Sequence, residues 1–188
     1  MNKIINIAVV GLGQVGIYLL NELNTKKKDI ELKTGKKINV VAVSARNINK
    51  KRQFKVDKKL FYKNSLDIFK NHQVDILFEA IGQSDGVSKK IVEAALKNGT
   101  HVISPNKALI SKHGNTLSQL AEKNNVNLEF EASVAGGIPV LRAIKEGLAT
   151  NKISKVYGIL NGTSNYILSE MENSNANFSD VLKKAQKL

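Results

Sequence analysis

The 188-residue chain has no cysteine and no tryptophan, only two prolines, and 5% aromatic residues. Without cysteine there is no disulfide, no thiolate metal site and no thiol nucleophile. A cytoplasmic location suits such a chain. Its apolar runs are short and broken by Gly, Asn or Lys, so none is long enough to cross a membrane. The N-terminus leads straight into a strand-like run, Ile4–Val10, with no apolar stretch and small-residue cleavage site, so no secretory signal is expected. Acidic residues are scarce: 16 Asp and Glu stand against 29 Lys and Arg, a formal net charge of +13. Most of the excess lies in residues 1–70. Aromatics for stacking are not interleaved with these basic residues, so they read as a solvated face and no nucleic-acid partner is expected.

What is present is a core. Hydrophobic residues make up 42% of the chain, and the pattern alternates strand and helix. Strands are expected at Ile4–Val10, Ile38–Val43, Val74–Phe78, His101–Ile103, Val126–Phe130 and Val156–Leu160. Helices are expected at Val15–Asn24, Val87–Lys97, Lys107–Asn124, Ile138–Ala149, Ser164–Met171 and Phe178–Leu188. A lysine-rich loop is expected before Lys37, and irregular chain over 46–64. The strands read as continuous β-branched runs, as in strands buried on both faces. Strands joined through helices imply right-handed crossovers, hence an α/β Rossmann-type doubly wound parallel sheet. Small residues interrupt the pattern at Ser133–Gly137. The expected domains are 1–132, for binding a dinucleotide, and 133–188, the beginning of a second, α+β substrate domain.

Gly11-Leu12-Gly13-Gln14-Val15-Gly16 matches GxGxxG directly after a buried strand and at the start of a helix. Gly11 permits the tight turn, Gly13 lets the backbone approach a pyrophosphate, and Gly16 lets the helix pack on the sheet. The helix N-terminus then attracts the anion. NAD-specific sites place an acid at the end of the second strand, to bind the ribose hydroxyls. Here the sequence is Val43-Ser44-Ala45-Arg46-Asn47, with an arginine and no acid. Arg46, helped by Lys50, Lys51 or Lys63, suits a 2′-phosphate, so NADP(H) is favoured over NAD(H).

Three further segments stand out: Ser104-Pro105-Asn106-Lys107-Ala108-Leu109, Phe130-Glu131-Ala132-Ser133-Val134-Ala135-Gly136-Gly137-Ile138-Pro139, and Gly158-Ile159-Leu160-Asn161-Gly162-Thr163-Ser164-Asn165-Tyr166-Ile167-Leu168. In this order and with GLGQVG, they resemble the homoserine dehydrogenases over the length of the chain. The resemblance implies NAD(P)H-dependent reduction of L-aspartate 4-semialdehyde to L-homoserine, on the route to threonine and methionine. It implies cofactor contacts at Gly11 to Gly16, Ser104, Lys107 and Gly162. It makes Lys107 the candidate catalytic residue, at the junction of cofactor and substrate. An ammonium beyond a strand's carboxyl end can polarise an aldehyde or help supply a proton. By itself Lys107 also reads as a solvated first-turn lysine. The resemblance further implies a monovalent cation such as sodium on Glu131 and the backbone carbonyls of Val134, Gly136 and Ile138. Glu131 alone also reads as a helix cap or a lysine's partner.

The family's chain continues to a substrate-binding glutamate, an aspartate and a second catalytic lysine. The 188 residues are therefore expected to form the cofactor half, without those groups, of an enzyme that is a homodimer at full length. Rival readings are another NADP-dependent reductase, a non-catalytic NADP-binding module and a nucleic-acid binder. A thioester-forming semialdehyde dehydrogenase is excluded, because it needs a cysteine.

Overall fold

The computed structural model describes residues 3–158 and 161–187. Its centre is a six-stranded parallel sheet, in the order β3-β2-β1-β4-β5-β6. The strands are β1 (Ile4–Val10), β2 (Lys37–Ser44), β3 (Phe61–Tyr62), β4 (Ile76–Glu79), β5 (His101–Ile103) and β6 (Leu128–Glu129). The chain leaves β1 outward to β2 and β3, then returns past β1 to β4, β5 and β6. That reversal makes the β1–β4 boundary the switch point where a crevice opens at the carboxyl ends of the strands.

The alternating side chains of β1 supply two cores. Ala8 and Val10 join Ile91, Val92, Ala95 and Leu96 of α4 (Val87–Lys97) and Leu109, Leu117 and Ala121 of α5 (Lys107–Lys123). Ile7 and Val9 join Ile17 and Leu20 of α1 (Gln14–Thr25), with Ile38 and Val43 of β2. Each large aliphatic side chain withdrawn from water contributes roughly 1.5–3 kcal/mol. Two apolar faces of one sheet thus require helices on both sides, as the β-branched runs imply.

Several elements differ from the sequence expectation. The lysine-rich segment before Lys37 contains a helix, α2 (Lys27–Thr34), ending at Gly35 in the left-handed conformation. It buries no residue fully; Ile30 packs on the core, and Glu31 accepts a hydrogen bond from the Ile38 amide at 3.0 Å. Its polar composition concealed it. The irregular basic stretch ends in a 3-10 turn at Lys58–Leu60 and in β3, too short to leave a period-2 signal. A second 3-10 turn, Ser65–Asp67, runs into α3 (Ile68–Asn71). The third long strand starts at Ile76 rather than Val74. The strand expected at Val126–Phe130 shrinks to β6, which pairs with only two residues of β5.

The chain divides into two compact units, Met1–Ser133 and Val134–Leu188. In the second, the expected helix over 138–149 becomes a short α6 (Val140–Arg142) followed by a π-turn at Ala143–Gly147. Pro139 caps it instead of lying in its first turn. The helix expected at Ser164–Met171 extends to α7 (Gly162–Ser174). The last, α8 (Phe178–Ala185), buries Val181 completely. The strand expected at Val156–Leu160 does not form at 156–158, where no strand among the described residues of this unit is available to pair with it; Ile159 and Leu160 lie outside the described residues.

Candidate cofactor and active site

The glycine loop begins where β1 ends. Gly11 has φ +96°, and its amide donates to the Ser44 carbonyl at 2.9 Å. A Cβ on Gly11 would collide with the backbone of Ala80 and Ile81, at the exit of β4. One on Gly16 would collide with the Gly11 carbonyl. One on Gly13 would meet nothing within 4 Å. Two glycines therefore serve packing, and the third keeps the crevice side clear. No side chain caps α1, so its first-turn amides face the crevice without a protein acceptor from a cap. These are the features a pyrophosphate requires.

A cleft of about 790 Å³ opens along this loop, lined by Leu12 to Val15, by Tyr18 and Asn21 of α1, and by the segment Lys50 to Phe54. Arg52 holds that segment in place. Its guanidinium donates to the carbonyls of Asn47 at 2.6 Å, Lys50 at 2.9 Å and Ile48 at 3.2 Å. It reaches the Leu12 carbonyl more loosely, at 3.4 Å, and stands 6.0 Å from the Phe61 ring centroid. The structure thus brings Lys50 and Lys51, rather than Arg46, to the cleft wall. Arg46 is exposed beyond the end of β2 and does not line the cleft, and neither does Lys63. Sequence reasoning missed Arg52, because nothing distinguishes it there from its basic neighbours.

On the other side of the switch point lies a residue that sequence reasoning also missed. Glu79 closes β4 and is fully buried. Its Oε1 accepts from the Ile81 amide at 2.8 Å, the Ser88 hydroxyl at 3.1 Å and the Asn106 side-chain amide at 3.2 Å. Its Oε2 accepts from the Ser104 hydroxyl at 2.6 Å. Asn106 Nδ2 also donates to the Gln83 carbonyl at 2.9 Å, and Asn106 Oδ1 caps α5 by accepting from the Leu109 amide at 3.2 Å. The available signal was an acid ending the apolar run Ile76-Leu77-Phe78, at the sheet edge where ligands bind.

Lys107 follows that cap as the first residue of α5 and is exposed. Its ammonium has no ion-pair partner among the described residues. A cation at the positive end of a helix is disfavoured by about 0.3–1 kcal/mol. A local rule broken without compensation marks a position held for another purpose. Ser104 is buried and its hydroxyl is committed to Glu79, so that side chain does not face the crevice.

The loop after β4 has its own tether. Asp85 meets Lys112 Nζ at 2.8 Å and His113 Nε2 at 2.9 Å, both on α5. The Lys112 ammonium above all, then the hydroxyl of Ser84 and the ring of His113, holds the Asp85 carboxyl well below the usual carboxylate range.

The expected cation ligands fall on either side of the unit boundary. Glu131 lies in a 3-10 turn at the end of the first unit and is half-buried. Val134, Gly136 and Ile138 open the second, where Ala135, Gly136 and Gly137 all have positive φ. The Gly136 carbonyl accepts from the Ile138 amide at 3.0 Å, and the Ile138 carbonyl from the Val140 amide at 2.8 Å. No group of three His, Cys, Asp or Glu side chains able to hold a metal occurs among the described residues. Gly162 is the first residue of α7, capped by Asn161, whose side chain accepts from the Ser164 amide at 2.9 Å. No helix among the described residues is long and apolar enough to cross a membrane.

A doubly wound sheet, an uncapped helix behind a glycine turn and a cleft beside it fit a dinucleotide-binding domain. Residues 11–131 match the family described as the NAD binding domain of homoserine dehydrogenase, and residues 139–188 match the family described as homoserine dehydrogenase. The chain belongs to the homoserine dehydrogenase family. It is 41% identical to the homoserine dehydrogenase of Neisseria gonorrhoeae, over 99% of this chain and 42% of that protein. With the Pseudomonas aeruginosa homoserine dehydrogenase it shares 39% identity over the same fractions. The crystal structure of a Thiobacillus denitrificans homoserine dehydrogenase superimposes with a TM-score of 0.82 at 39% identity, covering 98% of this chain and 42% of that one. The chain thus spans less than half the length of these relatives.

Proposed function

We propose that this chain is the cofactor-binding half of a homoserine dehydrogenase that uses NADP(H) in preference to NAD(H). The observation that carries the reading is the pairing of an open, uncapped Gly13–Gly16 turn with an unpartnered Lys107 across the switch point of the same sheet. In this reading residues 1–132 bind the cofactor and residues 133–188 begin the substrate domain. The amides of Gly13 to Gly16, with Leu12, Gln14 and Val15 shaping the turn, hold the pyrophosphate. Lys50 and Lys51 on the cleft wall, with exposed Arg46 after β2, supply the positive charge that a 2′-phosphate calls for. Ser104 contributes by holding the turn that presents Lys107, and Gly162 leaves room beside the nicotinamide.

Reduced nicotinamide supplies hydride when bound. Lys107 stabilises the charge developing on the aldehyde oxygen of L-aspartate 4-semialdehyde and delivers the proton that completes L-homoserine. A sodium ion would be held by Glu131 and the backbone carbonyls of Val134, Gly136 and Ile138. Positive φ at Ala135, Gly136 and Gly137 supports this reading, since it lets neighbouring carbonyls in that stretch turn the same way. Two copies are expected to associate in the active assembly, and no nucleic acid takes part.

The test is L-homoserine-dependent reduction of NADP, followed by absorbance, in a protein that joins residues 1–188 to the remaining substrate domain of a family member. Turnover with L-homoserine that falls by about 100-fold or more in Lys107→Ala, with NADPH affinity nearly kept, supports the assignment. Turnover unchanged in Lys107→Ala removes that residue from the chemistry.

A further inference from the structure

We propose that Glu79 is the positioning residue of the nicotinamide half of the site: through Ser104 and Asn106 it sets the backbone of the β5–α5 turn, which forms the nicotinamide's side of the crevice and from which Lys107 projects. The proposal rests on the cofactor reading above and assigns a role to a group that reading does not use.

A carboxylate is acceptor-only and offers about four lone-pair sites. Glu79 is fully buried and accepts from four donors in three different segments, three on Oε1 and one on Oε2. Ile81 belongs to the loop leaving β4, Ser88 to the first turn of α4, and Ser104 and Asn106 to the turn between β5 and α5. A hydrophobic residue of similar volume would stabilise this position more simply, because a buried acid carries a desolvation cost. The acid is therefore best explained by what it holds. It ties the β4 exit loop to the β5 exit turn, and Asn106 strengthens that tie through the Gln83 carbonyl. The same Asn106 caps the helix whose first residue is Lys107, so the direction of that first turn depends on Glu79.

Location gives the specificity. A doubly wound sheet binds the two nucleotide halves of its ligand on either side of the switch point. The adenosine half faces β1 and β2; the nicotinamide half faces β4 and β5. Glu79 acts only on the second half. A defect there must distinguish NADPH from a ligand that lacks nicotinamide.

The experiment compares NADPH with adenosine 2′,5′-bisphosphate on the 188-residue chain and on Glu79→Gln, with a thermal melt of each. Gln preserves the volume and one acceptor oxygen but places a donor among donors. The expected result is a cooperative melt, unchanged affinity for the bisphosphate, and NADPH affinity lowered by about tenfold. Equal affinity of Glu79→Gln and wild type for both ligands overturns the proposal. So does an equal loss for both, which would make Glu79 a general fold residue. If wild type melts cooperatively but binds neither ligand, the cofactor reading itself falls and this inference with it. Should Glu79→Gln fail to fold, Ser104→Ala provides the decision: it removes the 2.6 Å bond to Glu79 together with the acceptor of the Asn106 amide at 3.2 Å, both within the same turn, and must show the same selective loss of NADPH.

Discussion

The carbonyl of Gly11 occupies the space where a Cβ on Gly16 would stand, so the first turn of α1 lies directly against the exit of β1. Gly13, between them, faces open space. The motif therefore contains two different requirements, and single substitutions should separate them. Gly16→Ala should lower stability by about 1–3 kcal/mol, read as a shift in the urea midpoint. Gly13→Ala should cost about 1 kcal/mol or less in the same measurement and yet abolish saturable NADPH binding. Normal binding by Gly13→Ala would show that no pyrophosphate lies against that residue.

Lys107→Ala should make the folded chain more stable. The ammonium stands at the positive end of α5 without an ion-pair partner among the described residues, and alanine is the better helix former. A gain of about 0.3–1 kcal/mol is expected in urea unfolding. NADPH affinity should stay within about threefold of wild type. A clear loss of stability would reveal a structural role for this lysine and weaken its assignment to chemistry.

The Asp85 tether should respond to pH. Its carboxyl is held below the ordinary range by Lys112 first, then Ser84 and His113. A carboxylate with a depressed folded-state value stabilises the fold above its unfolded value, and the contribution is lost as pH falls through the folded one. Wild type should therefore be more stable than Asp85→Asn at neutral pH. The gap should begin to close below about pH 4 as the unfolded chain's carboxyl takes up its proton. Both chains melted across pH 3 to 7 provide the check; a gap independent of pH would assign the tether to something other than charge.

Arg52 should resist conservative replacement. Its fork reaches four carbonyls, which one ammonium does not reproduce. Arg52→Lys should weaken NADPH binding by about tenfold and open the segment 47–54 to limited proteolysis. Unchanged cleavage there would mean that the segment is held by other contacts.

These outcomes follow the division between what was legible in the sequence and what was not. β1, β2, α4 and α5 announced themselves through buried β-branched runs and helical periodicity, because they bury apolar residues on the sheet. α2 did not, since it has no fully buried residue and depends on Ile30, Glu31 and the Gly35 stop. The glycine turn was readable because each position has its own steric demand. Glu79 was not, because its importance lies in donors 2 to 27 residues away that only the fold brings together. Arg52 was not legible for the same reason: its value comes from backbone carbonyls that converge only once the loop has folded.

The central claim, that this chain holds a phosphorylated nicotinamide cofactor at the Gly11–Gly16 turn, is tested most directly by titrating it with NADPH and separately with NADH. Reduced-nicotinamide fluorescence is the signal, and the absence of tryptophan removes indole emission from it. Saturable binding of both, with NADPH tighter by about tenfold, is the expected result. A chain that melts cooperatively and yet binds neither cofactor would contradict it.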